Sequence, residues 1–171
     1  EKAILIGVEG LGETLKEPMA LDAHFRKIAQ LVAADPLVGE DVPDMVALYQ
    51  KVAQKLQESP INLKVNSPLT GREIEVKVGK QGLDLVLFMD LGDASDLPVI
   101  PRLLYSIDQG DYSHFRWFIQ KRISHGYGIH AMATTMDIAS GASPERIATI
   151  YAQAKESIFG NVPNTPNMAL L

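Results

Sequence analysis

Two carboxylates stand apart from the others by where they fall in the chain. Glu9 follows the apolar run Ala3-Ile4-Leu5-Ile6-Gly7-Val8, at the place just past a buried strand where open α/β sheets hold their ligands. Asp137 interrupts the weakly patterned stretch Gly128 to Ile138, where a buried carboxylate needs a partner. The plainer reading of each is structural. Gly7, Gly10 and Gly12 could let backbone approach a phosphate, but their spacing is neither G-x-G-x-x-G nor a P-loop, and Glu9 would repel the anion. Of the four histidines, His24, His114, His125 and His130, the last two lie five apart, which does not align them on a helix face, and no H-E-x-x-H surrounds them. The G-x-S-x-G of an activated serine is absent, and Ser140-Gly141-Ala142-Ser143 reads as the approach to a helix and its cap. The chain has no cysteine, which removes disulfides, thiolate metal sites and a cysteine nucleophile together. No catalytic residue, metal site or cofactor is therefore expected within these residues.

Composition narrows the partners. The 171 residues carry 21 acidic against 16 basic side chains, a formal charge of −5, so there is no basic surplus to displace the counterions of a nucleic acid. No apolar run reaches the roughly 18 to 20 residues that cross a bilayer, and the first residues lack the order of a secretory signal. Neither nucleic acid nor membrane is expected as a partner, and the compartment stays open. With 46% hydrophobic residues the chain can bury a core of one domain or slightly more.

The elements that would position these residues are mostly helical. The run Ala3 to Val8 is too short for a helix and reads as a strand buried on both faces, which requires neighbours to pair with. Leu21, Phe25, Ile28 and Val32 then recur at helical spacing until Asp35-Pro36. Met45, Tyr49, Val52 and Leu56 form the stripe of a second helix, with Pro43 in its first turn and Ser59-Pro60 at its end. Ile61, Leu63 and Val65, and again Ile74, Val76 and Val78, alternate with polar residues around the turn Ser67 to Gly71, which predicts a β-hairpin with one apolar face. Leu83 to Leu91 is apolar except at Asp84 and Asp90 and predicts a buried helix. Pro101 kinks the following segment or opens a fresh helix through Ile107, which Gly110 stops. Asp111 caps a helix with Phe115, Phe118 and Ile119 on one side and Lys121-Arg122 near its C-terminal end, where cations suit the dipole. The last helix is capped by Ser143, has Pro144 at its first position, and turns Ile147, Ile150, Tyr151, Ala154 and Ile158 inward.

The order of these features resembles part of the α/β-hydrolases of the tripeptidyl-aminopeptidase and proline-iminopeptidase group. The matching pieces are the strand with Gly7-Val8-Glu9-Gly10, Thr14-Leu15-Lys16 and Pro18, a helix ending in Ala33-Ala34-Asp35-Pro36, the hairpin leading to Gly82-Leu83, a proline-led helix ending in Gly110-Asp111, and Gly128-Ile129-His130 through Thr134 and Asp137. Thr135 stands where that group usually has cysteine, and Asp137 where it has glutamate. The resemblance implies a lid region and one core strand of a longer polypeptide, whose serine, acid and histidine lie outside these residues.

The resulting expectation is a mainly α chain with one β-hairpin: residues 1–18 a core-type strand and connecting loop, 19–160 a helical lid domain with its hairpin near 61–78, and 161–171 a tail. The function implied is that of a lid over a serine hydrolase site, in a peptidase acting at peptide N-termini. The lid would exclude water and select a peptide or small ester, with Glu9 and Asp137 pairing with the substrate's α-ammonium group. Its partner would be the rest of its own chain, and a fragment exposing that core-facing surface could dimerise to hide it. The competing expectation is a free-standing helical binding module without catalysis, recruiting a partner through an exposed apolar face.

Overall fold

The computed structural model describes residues 4, 12, 14–124 and 131–165. Among them are eight α-helices and one antiparallel hairpin, so the chain is mainly helical. Of the expected strand Ala3 to Val8 only Ile4 is described, in no regular element, and the rest lies outside the described residues. The chain divides into two compact units, one of residues 21–128 and one built from residues 1–20 with 129–171.

The larger unit holds most of the core. Helix α1, Pro18–Ala34, starts in the smaller unit and buries Phe25 and Ile28 in the larger one. Asp35 ends it, accepting the Leu37 and Val38 N–H groups at 2.9 and 3.0 Å, and these bonds hold its carboxyl below the usual range. They also start the single turn α2, Val38–Asp41, which carries too few residues to show a period in the sequence. Helix α3, Met45–Glu58, buries its predicted stripe of Met45, Tyr49, Val52 and Leu56. Its cap is Asp44, whose side chain accepts from Ala47 N, so Pro43 precedes the helix and does not sit in its first turn.

Strands β1, Ile61–Asn66, and β2, Glu73–Val78, pair in the register Ile61↔Val78 through Asn66↔Glu73. Leu63, Val65 and Val78 face the core, while Ile74 at the turn end is 40% exposed. Helix α4, Lys80–Asp90, is buried along Leu83, Val86 and Leu87, and both of its acids are buried too. Proline 101 opens a fresh helix, α5, Ile100–Asp108, after a short 3-10 turn. Gly110, at φ +84°, stops the chain in the left-handed region that favours glycine. Asp111 then takes Ser113 N–H at 2.9 Å and starts α6, Ser113–Ser124, which buries Phe115, Phe118 and Ile119. Helix α3 packs on α4 and α5, and α6 on β1, α4 and α5.

In the smaller unit, α7, Ala131–Ser140, occupies part of the stretch whose pattern predicted no element. Helix α8, Pro144–Glu156, is capped by Ser143, which accepts from Arg146 N as expected. It buries Ile150, but Tyr151 is half exposed where the spacing predicted it inward. Asn164, fully buried, acts as a clamp: its Oδ1 accepts Lys16 N–H at 2.6 Å and its Nδ2 donates to Lys16 O at 2.7 Å. Arg146 donates to Leu15 O at 2.7 Å and pairs with Glu17, whose carboxyl these contacts hold below its usual pKa.

Candidate binding groove

The described residue with the largest aromatic surface left in solvent is Trp117, 51% exposed on α6. Ser113, Arg116, Trp117 and Gln120 follow one another at spacings of three, one and three, which puts them on one stripe of that helix, opposite the buried Phe115, Phe118 and Ile119. This stripe and the β1 edge enclose a groove of about 370 Å³, completed by Lys64, Val65, Asn66 and Glu73.

The backbone of β1 explains the groove's floor. Ser67 N–H donates to Arg72 O across the turn at 2.8 Å. In an antiparallel ladder bonded rungs alternate with unbonded ones, so Asn66↔Glu73 turns its N–H and C=O groups outward. Gln120 meets them: its Oε1 accepts Asn66 N–H at 2.6 Å and its Nε2 donates to Asn66 O at 3.1 Å. One carboxamide thus fills the place of a third strand for a single rung. Two residues back, Lys64 turns its own N–H and C=O the same way by the same alternation, at the groove.

The charge of the groove is uneven. Lys64 pairs with Glu73 at 3.2 Å, both well exposed. The Arg116 guanidinium is exposed and has no hydrogen-bond or ion-pair partner among the described residues.

An ionic cluster behind α6 fixes this stripe. Asp90, fully buried at the end of α4, accepts from Lys121 at 3.2 Å and from Arg122, and Lys121 also binds Asp96. Burial, and next the neighbouring Asp96 carboxyl, push the pKa of Asp90 up against the pull of the two cations. Burial works against the charge on Lys121, but the bonds and charges of Asp96 and Asp90 outweigh it and leave its pKa raised. Lys121 Nζ also lies 5.6 Å from the Trp117 ring centroid, and Phe118 meets that ring edge-on at 4.8 Å. The sequence placed Lys121 and Arg122 as partners of the helix dipole; the structure spends them on buried carboxylates 25 to 32 residues away.

A second buried network lies between α3 and α4. Tyr49 donates to Asp84 at 2.7 Å, Lys80 donates to the other carboxylate oxygen, and Phe25 packs edge-on to the Tyr49 ring at 5.5 Å. Burial pushes both the Tyr49 phenol and the Asp84 carboxyl up, the latter against the pull of the Lys80 and Tyr49 hydrogen bonds.

The residues singled out in the sequence lie elsewhere. Asp137 is in α7, partly exposed, and its carbonyl receives Gly141 N–H at 3.0 Å; Glu9 is outside the described residues. His24 bonds Leu91 O at 2.9 Å and His114 lies beside Ser113 Oγ, while His125 and His130 are outside the described residues. Among the described residues no three potential ligands gather where they could hold a metal ion, and no helix is long and apolar enough to cross a membrane. The groove was missed because its signal is a polar helix stripe, which reads as a solvated surface until the strand edge is set beside it.

Comparison with known proteins corrects the expected kinship. No family model matches the chain, and no solved structure matches it. The chain is similar to a probable translation initiation factor IF-2 of Methanosarcina acetivorans, 26% identical over an alignment 176 positions long, gaps included, that covers 88% of this chain. It spans 30% of that protein's length. This overturns both the likeness to the peptidase group of α/β-hydrolases and the peptidase-lid function drawn from it. Two of the motifs that carried the likeness have local causes: Asp35 and Asp111 each accept backbone N–H groups at a helix start, and Gly110 takes a positive φ at a helix end, as many helical chains require.

Proposed function

We propose that this chain is a non-catalytic binding module acting in translation initiation. The observation that carries the reading is the similarity to a translation initiation factor along 88% of the chain. The chemistry of the α6–β1 groove supports it: a half-exposed tryptophan, an arginine with no partner among the described residues and an outward strand rung are recognition groups. The net charge of −5 favours contact with a protein component of the initiation machinery over contact with RNA phosphates.

Co-sedimentation tests the reading. The purified chain is layered on a sucrose gradient with ribosomal subunits, initiator tRNA and messenger RNA, and its position is read by immunoblot. Migration with a subunit peak that saturates at micromolar concentration is expected. A chain that stays at the top of the gradient at every concentration would overturn it.

A further inference from the structure

We propose that the α6–β1 groove takes an extended acidic peptide, laid as an added strand along the outer edge of β1. This names the ligand class of the binding module inferred above and rests on that reading.

The strand edge is the first argument. Asn66 has its outward N–H and C=O satisfied by the Gln120 carboxamide, which stops the edge at that rung. Lys64 presents the next outward pair inside the groove, and an extended chain is the ligand whose backbone carries a matching donor and acceptor at strand spacing. The second argument is charge. Lys64 is neutralised by Glu73 at 3.2 Å, while Arg116 has no partner among the described residues, so the groove carries one uncompensated cation. A carboxylate matches its fork. The third is Trp117. Its ring is held by Lys121 and Phe118, which in turn are fixed by buried contacts, so the aromatic surface is already ordered before a ligand arrives. An RNA strand could stack on the same ring, but its backbone carries no donor and acceptor at strand spacing to meet the Lys64 rung.

Trp117 is the only tryptophan in the chain, so its fluorescence reports the groove directly. The probe is the blocked peptide Ac-Val-Glu-Val-Glu-Val-Glu-amide, titrated into the full chain beside three comparisons: its glutamine counterpart, a version N-methylated at every residue, and oligouridylate of ten nucleotides. A saturable change with the acidic peptide is expected, weaker by about tenfold for the glutamine peptide, since one charge-assisted contact is lost. The N-methylated peptide should not bind, because it cannot donate to the edge. R116Q, an exposed change whose fold is checked by circular dichroism, should erase the tenfold preference. Equal binding of acidic and glutamine peptides, full binding of the N-methylated one, an unaltered preference in R116Q, or saturable binding of the oligonucleotide in place of the peptide would each overturn the proposal. A chain that co-sediments with ribosomal subunits yet binds no peptide refutes this inference and leaves the functional reading standing. One that binds the peptide as described but never co-sediments refutes the functional reading by itself.

Discussion

Replacing Lys121 with methionine isolates the energetics of the cluster behind α6. The side chain keeps its length and apolar stem, so the loss is chiefly that of the ammonium group. That group serves two carboxylates at once, Asp90 with none of its side chain exposed and Asp96 with 5%. Removing one partner from a buried ion pair costs roughly 3–5 kcal/mol, because the remaining charge stays uncompensated. Lys121 is itself 20% exposed and Arg122 still reaches Asp90, which places K121M at the lower end, about 3 kcal/mol. With a urea slope of roughly 1.5 kcal/mol/M, the unfolding midpoint followed by circular dichroism should fall by about 2 M. The pH dependence fixes the cause. Asp90 has its pKa raised by burial, so the native state holds that proton more tightly than the unfolded chain. Its contribution to stability is present below the unfolded pKa and is lost as pH rises through the folded one. The methionine variant lacks a cation that pulls against this shift, so its deficit relative to the parent should be largest at pH 8 and shrink on acidification to pH 4. A loss under about 1 kcal/mol, or a deficit that does not change between those pH values, would refute the assignment of a buried, charge-compensating role to Lys121.

Three other changes test separate parts of the chain by the same denaturation assay. Asn164→Ala removes both bonds that clamp the part-buried Lys16 backbone and should cost about 1–3 kcal/mol. Ser143→Ala should cost about 1 kcal/mol by removing the cap of α8, and Ser143→Gly only a few tenths. Gly110→Ala forces a Cβ into the left-handed region at φ +84°; nothing lies within 4 Å of that Cβ, so the expected loss of about 1–2 kcal/mol is conformational and not steric crowding. A neutral Gly110→Ala would mean the turn relaxes to a negative φ.

How much of this was legible depended on the range of the interactions involved. The stripe of α3, the alternation of the hairpin and the Ser143-Pro144 start of α8 are carried by neighbours in the chain, and each stands where the spacing placed it. Helix α7 was not legible, since Ala131–Ser140 mixes small and medium residues with no polar face set against an apolar one. Tyr151 was placed inward because it continues the spacing of Ile147 and Ile150, and periodicity alone cannot say how wide a helix's buried stripe is. In the motif order that suggested a hydrolase lid, Asp35-Pro36 and Gly110-Asp111 are helix stops and starts, whose residue types are fixed by capping chemistry and carry little information about descent.

The groove belongs to a different category, because the contacts that tie α6 to β1 and α4 join residues far apart in the chain. Gln120 and Asn66 are 54 residues apart, and Lys121 and Asp90 are 31 apart. Neither a glutamine nor a lysine on an amphipathic helix announces such a partner. Together they give α6 two jobs. Its inner side is tied to α4 by buried charge, and its outer stripe closes one rung of β1 while leaving the next one open. The bond from Gln120 also orients the helix against the strand, so the open rung at Lys64 and the Trp117 ring are held in a fixed relation. It follows that Gln120→Ala should affect binding in a way that simple destabilisation does not. It frees the Asn66 rung, lengthening the available edge by one pair of bonds, and it releases the helix that presents Trp117. If strand addition dominates recognition, the variant should bind the acidic hexapeptide more tightly despite a lower unfolding midpoint. If the ordered aromatic surface dominates, affinity and midpoint should fall together.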